Sequence, residues 1–110
     1  MEKFSLTALG RNALEAAQTA PSGRSAQTVY GGHEHVLRQT VIAMTEGARL
    51  ADHENPGEAT IQVMLGRVLL TTEENSWEGA PGTLLVVPQA RHALEALEDS
   101  VVLFTVAKLP

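Results

Sequence analysis

The side chains able to do chemistry in this chain are few. With no cysteine, thiolate ligation and thiol nucleophiles are excluded, so any metal or proton-transfer site must use nitrogen and oxygen donors. The four histidines are His33, His35, His53 and His92. In His33-Glu34-His35 the one-residue spacing puts both imidazoles on one side of an extended backbone, about 7 Å apart at Cα and close enough to chelate one ion. His53 stands six residues after Gly47 and just before a Pro56-Gly57 turn, and His92 follows the apolar run TLLVV and Pro88. No serine or aspartate carries a motif that supports a Ser-His-Asp arrangement. Gly31-Gly32 precedes a strand pattern rather than a helix, so it is not a phosphate-cradling loop.

Most of the elements that must position these groups read as strands. From Thr28 onward, short runs rich in Val, Ile, Leu and Thr alternate with Gly, Pro, Asn and acidic turns, the pattern of an all-β domain. Expected strands are 36–45, 60–65, 67–72, 76–78, 83–87, 92–97 and 101–107, with a histidine-bearing strand end at His53. The unbroken apolar run Thr83–Val87 suits a strand covered on both faces, and Val36 to Thr45 has apolar residues on both parities. A second subunit would explain the latter, so a homodimer is expected. Ahead of these strands, Leu6, Leu9, Ala13, Leu14 and Ala17 fall at helical spacing. Asn12-x-x-Glu15 has the form of a capping box, which predicts a helix starting there and ending at Pro21 and Gly23. Residues 20–27 read as a polar linker. The domain reading is a helical segment, 1–27, packed on a barrel formed by 28–110. Closing the strands into a barrel removes exposed edges.

Two stretches carry a resemblance to a known family. Gly47–Gly66, GARLADHENPGEATIQVMLG, and Gly82–His92, GTLLVVPQARH, resemble the paired motifs of the cupins, specifically small single-domain cupins of the conserved-barrel type with degenerate metal motifs. The first family pattern is G-x5-H-x-H-x3-4-E-x6-G. His53 fills its first histidine, Asn55 stands at the second and Ala59 at the glutamate. The second is G-x5-P-x-G-x2-H-x3-N. Gly82 and Pro88 match it, Ala90 replaces the glycine, His92 arrives one residue early and Ala96 stands at the asparagine.

The resemblance implies an all-β, double-stranded β-helix (jelly-roll) barrel with a short N-terminal helix. It also implies one divalent metal, Fe, Mn, Ni or Zn, on inward-facing strands. In the family three histidines and a carboxylate leave open positions for activating oxygen or polarising an oxygen-bearing substrate. Here His53 and His92 are the ligands that carry over. His33, His35 and Glu58 are candidates to complete the set, although Glu58 is one residue off the pattern and its strand parity opposes it. Asn55 and Gln62 join His53 and His92 as candidate pocket residues.

Three functions follow from these residues. One is a small-ligand-binding or simply dimeric barrel with His53 and His92 as polar pocket groups. Another is a metal-dependent enzyme, dioxygenase- or isomerase-like, acting on a small polar molecule. The third is a partner-binding or sensing module. A formal charge of −5 with basic residues scattered along the chain argues against nucleic acid and anionic membranes as partners. The absence of a signal-peptide core or a long apolar span places the protein in the cytoplasm.

Overall fold

A computed structural model describes residues 2–53 and 57–108, the side chains of residues 52 and 53 excepted. Among these residues helix α1 (Leu6–Thr19) precedes nine strands. They are β1 (Arg24–Tyr30), β2 (Leu37–Met44), β3 (Arg49–His53), β4 (Gly57–Leu65), β5 (Val68–Thr72), β6 (Ser76–Gly79), β7 (Leu84–Val86), β8 (His92–Ala96) and β9 (Ser100–Lys108). The described strand pairs are all antiparallel and form two sheets, ordered β1-β2-β9-β4-β7 and β3-β8-β5-β6. The sheets face each other as a jelly-roll barrel. No described helix is long and apolar enough to cross a membrane.

The interior follows from strand parity. In β4, Gly57, Ala59, Ile61 and Val63 are buried while Glu58 and Gln62 are exposed. The inner parities of β2 and β9 add Ile42, Met44, Val102 and Val106, and the opposite sheet adds Val68, Leu70, Leu94 and Ala96. Full burial of a leucine such as Leu70 or Leu94 contributes about 2 kcal/mol. β7 departs from expectation. Leu85 and Val87 face the core, but Leu84 and Val86 are exposed, because β7 ends its sheet and no layer lies over its outer side.

Helix α1 begins earlier than Asn12-x-x-Glu15 predicts. Ser5, extended at φ −87° and ψ 102°, is the N-cap, its hydroxyl accepting from the Ala8 amide at 3.2 Å. Gly10 does not interrupt the helix, since the buried stripe Gly10, Ala13 and Ala17 is what lets α1 lie close on the sheet. A Cβ on Gly10 would stand 3.0 Å from Val101 Cγ1. The second apolar parity of β2, Val41 and Ala43, lies under α1 of the same chain together with Val101 and Leu103. That parity is therefore covered without a second subunit, and it no longer argues for one. The expected linker 20–27 is also shorter than the sequence suggests. Its polar residues from Arg24 onward are strand β1, which pairs with β2 from Arg24 opposite Met44, so β1 runs across the 27/28 boundary. A polar edge strand lacks the apolar alternation that marks strands in sequence.

Candidate functional site

The site is built around His92. It opens β8 immediately after the turn of residues 88–91, and its side chain is buried, with 2% of its surface exposed. Nδ1 lies 2.9 Å from the Ala90 carbonyl oxygen. A carbonyl can only accept, so in this bond Nδ1 carries the proton and donates it. The tight turn places that carbonyl two residues before the ring.

His92 lines a small cavity in the barrel with Ile42, Leu50, Ile61, Leu94, Val102 and Phe104. Its volume is about 10 Å³, at the threshold for one water molecule. Five strands contribute the lining, so no local stretch of sequence could have shown it. Leu50 and Phe104 are only partly buried; the other aliphatic lining residues are held in the core.

The backbone register sets His53, the last residue of β3, directly opposite His92. Thr72 of β5 is opposite His92 on its other side. Asn55 lies outside the described residues. Gln62 is on the exposed parity of β4 and does not reach the interior cavity. Ala59 is buried on the inner parity, so at the pattern's glutamate position the barrel receives a methyl group.

The other three candidate ligands are gathered elsewhere. His33, His35 and Glu58 line a separate, wide concavity of about 620 Å³ at the sheet end, with Val36, Ala107 and Lys108. The His35 ring meets Tyr30 edge-on at 4.9 Å between centroids, and Lys108 Nζ donates to the Gly32 carbonyl at 3.2 Å. Glu58 is on the outward parity of β4. None of the three lines the cavity of His92. Strand parity excludes Glu58, and the turn after β1 carries the two histidines to the outside.

Among the described residues no group of three or more His, Asp or Glu is placed to hold a metal ion. The cupin pattern asks for three imidazoles and a carboxylate. The matching positions here offer His53 and His92, with aliphatic and aromatic side chains around the latter. The described donors therefore do not fit that metal centre. What the cavity does offer is one imidazole, that of His92, in an otherwise apolar lining.

No protein-family model matches the chain, and no curated protein matches it by sequence. Solved structures do resemble it. A conserved protein of unknown function from Streptococcus pyogenes superposes with a TM-score of 0.76 at 23% identity, over 99% of this chain and 89% of that one. A cupin superfamily protein from Desulfitobacterium hafniense DCB-2 gives 0.71 at 14% identity, over 78% of each chain. The salicylate 1,2-dioxygenase of Pseudoaminobacter salicylatoxidans, in a mutant form, gives 0.76 at 17% identity, over 91% of this chain and 34% of its own length. At such identities the likeness is one of fold, and the fold is that of a small cupin barrel.

Proposed function

We propose that this cupin-fold chain is a small-ligand-binding barrel in which His92, with His53 opposite it, reads the polar end of a largely apolar molecule. The observation that carries the reading is the buried His92 ring, oriented by its Nδ1–H bond to the Ala90 carbonyl, in the wall of a cavity lined by Leu50, Ile61, Leu94 and Phe104. A single imidazole in an apolar surround suits a partner with one polar group, such as a hydroxyl, because any further polar group would be desolvated without compensation. Phenol or a short alcohol has that chemistry. The cavity takes only a water-sized group as it stands, so admission requires Leu50 and Phe104 to shift. His53 enters the reading as the backbone partner of His92.

The test is titration of phenol into protein labelled with ¹⁵N at histidine, observed through the ring nitrogens. A saturable change at His92 Nε2 that is absent in His92→Ala is the expected result. No change up to millimolar phenol sinks the reading.

A second reading, one divalent ion on His53 and His92, has one observation in its favour. A metal-ligating imidazole usually donates its other ring N–H to a carbonyl, as His92 does. Two imidazoles alone bind such an ion weakly, so this reading and the enzymatic one behind it require a further donor. Metal analysis of untagged protein decides between them. Stoichiometric metal that is lost in His92→Ala favours the metal centre and removes the ligand reading.

A further inference from the structure

Helix α1 packs on β1, β2 and β9, and between it and the end of β4 a groove of about 260 Å³ is left open. Two local features shape it. Val63 pairs with Val102 and Leu65 with Val101, so Met64 is an extra residue in β4 and the strand bulges there. Neighbours on a regular strand point to opposite faces, but the bulge lets Met64 and Leu65 line the same groove. Gly10 is the second feature. Alanine is favoured over glycine in mid-helix by about 1 kcal/mol. A Cβ at Gly10, however, would stand 3.0 Å from Val101 Cγ1 and 3.9 Å from the Met64 methyl, so the missing side chain keeps the floor of the groove open.

The groove is apolar with a single charge. Leu6, Leu14, Met64 and Leu65 form its walls, and Leu65 is 48% exposed. Arg11 is the only charged residue lining it, and Thr7, one turn earlier on the same side of α1, adds a hydroxyl. Arg11 takes part in none of the described ion pairs, not even with Glu15 one turn further on. Its planar fork of N–H donors, which suits a carboxylate, is uncommitted among the described residues.

We propose that this groove binds an aliphatic monocarboxylate, with the carboxylate on the Arg11 guanidinium and the Thr7 hydroxyl and the hydrocarbon along Leu6, Leu14, Met64 and Leu65. One guanidinium balances one negative charge, so a phosphate monoester, with about −1.5 to −2, would leave an excess. A cationic ligand is repelled by Arg11. The protein as a whole has a formal charge of −5, so an anion is held only where a cation meets it at contact. The body of the ligand has to be apolar because the walls offer no further polar partner, and a second polar group there would lose its water without replacement. Length follows from the helix. Leu6 and Leu14 are just over two turns apart, about 12 Å, which a hydrocarbon of roughly eight to ten carbons spans. The unbranched thioether of Met64 adapts to such a chain. The volume lies near the lower bound of about 300 Å³ for small-ligand sites. This site is outside the barrel and does not rest on what the barrel binds.

The test is titration of octanoate into the full chain labelled with ¹³C at the methionine methyls. The sequence has three methionines, Met1, Met44 and Met64, and the last two report on different places. Met64 lines the groove, whereas Met44 is in the barrel core with 1% of its surface exposed. A saturable shift of the Met64 methyl with a Kd on the order of 100 μM, Met44 unmoved, is the expected result. Hexanoate should bind about 4-fold more weakly, for two methylenes half buried in an open groove. Octylammonium, with the charge reversed, should give no saturable shift. Arg11→Gln should weaken octanoate about 5-fold and leave 1-octanol unchanged, which separates pairing with the charge from damage to the groove. Arg11 is exposed, so the variant keeps the fold. No saturable shift at Met64 up to about 10 mM octanoate overturns the proposal. So does a shift of Met44 in its place, which puts the ligand in the barrel. Equal losses of octanoate and 1-octanol in Arg11→Gln, or an octanoate affinity indifferent to that substitution, refute it too. A Met64 shift produced by concentrating the protein and not by octanoate would show a second copy in the groove, and overturns it as well.

Discussion

Gly66, which closes the first motif, is where that motif meets the rest of the barrel, and its substitution by alanine measures the meeting. Gly66 has φ +80°, a conformation that costs a residue with a side chain about 1–2 kcal/mol. A Cβ there would also stand 2.8 Å from Ser100 Cα and in closer contact still with the Asp99 carbonyl oxygen and the Ser100 hydroxyl. Those neighbours are mostly backbone and cannot rotate away. Ser100 is itself fully buried, its hydroxyl accepting from the Arg67 amide at 3.0 Å and donating to the Glu98 carbonyl at 2.7 Å. Displacing it leaves buried groups without partners, at about 1–3 kcal/mol. Gly66→Ala is therefore expected to lose roughly 2–5 kcal/mol, a large part of the ~5–15 kcal/mol of a typical domain. Gly47→Ala is the control. Gly47 has φ +86° but nothing within 4 Å of the added Cβ, so only the conformational cost of about 1–2 kcal/mol remains. Urea denaturation of both variants, with unchanged m-values, gives the comparison. At about 4 °C per kcal/mol the melting temperatures should separate by roughly 4–12 °C. If the two variants differ by less than about 1 kcal/mol, the close approach of Asp99 and Ser100 is not a determinant of stability and the reasoning fails.

Ser100→Ala keeps the backbone but removes the hydroxyl shared by Arg67 and Glu98, and should cost about 2 kcal/mol in the same urea assay. Ser5→Ala removes the cap of α1 at about 1 kcal/mol, with the loss visible in thermal denaturation, whereas Asn12→Ala, inside the helix, should be near neutral. Because the described residues do not supply a cupin metal set, a strong chelator should leave the melting temperature within about 1 °C of its starting value. A larger drop would show a stabilising ion.

How much of this was legible in the sequence depends on the range of the interaction concerned. Most strands were read within a residue or two, because alternation of apolar and polar side chains is the local imprint of a sheet with one buried face. β1 escaped because Arg24, Ser25, Gln27 and Thr28 leave it without a regular apolar alternation. The start of α1 was misplaced because Ser5 caps through a hydroxyl three residues from its partner, while Asn12-x-x-Glu15 only has the same letters. At the site, Gly82, Pro88 and His92 carried the resemblance correctly to a buried histidine. The parity argument against Glu58 also agrees with its outward position. Gln62 was not excluded, since parity shows which residues share a face but not which face is inside.

By itself the sequence determined the strand pattern, the glycine-marked turns, the absence of thiol chemistry and the two motifs that resemble a cupin barrel. These are properties of adjacent residues, written in composition and period. Only the tertiary structure decided that His53 and His92 are register partners, that His33, His35 and Glu58 gather at a different concavity, and that α1 covers the outer side of β2 while leaving β7 bare. Such choices depend on which strand closes against which, and the energies that settle them come from contacts between residues far apart in the chain. The Ala90 carbonyl that orients His92 is the clearest case, because a backbone acceptor belongs to every residue and acquires its role only when the turn folds.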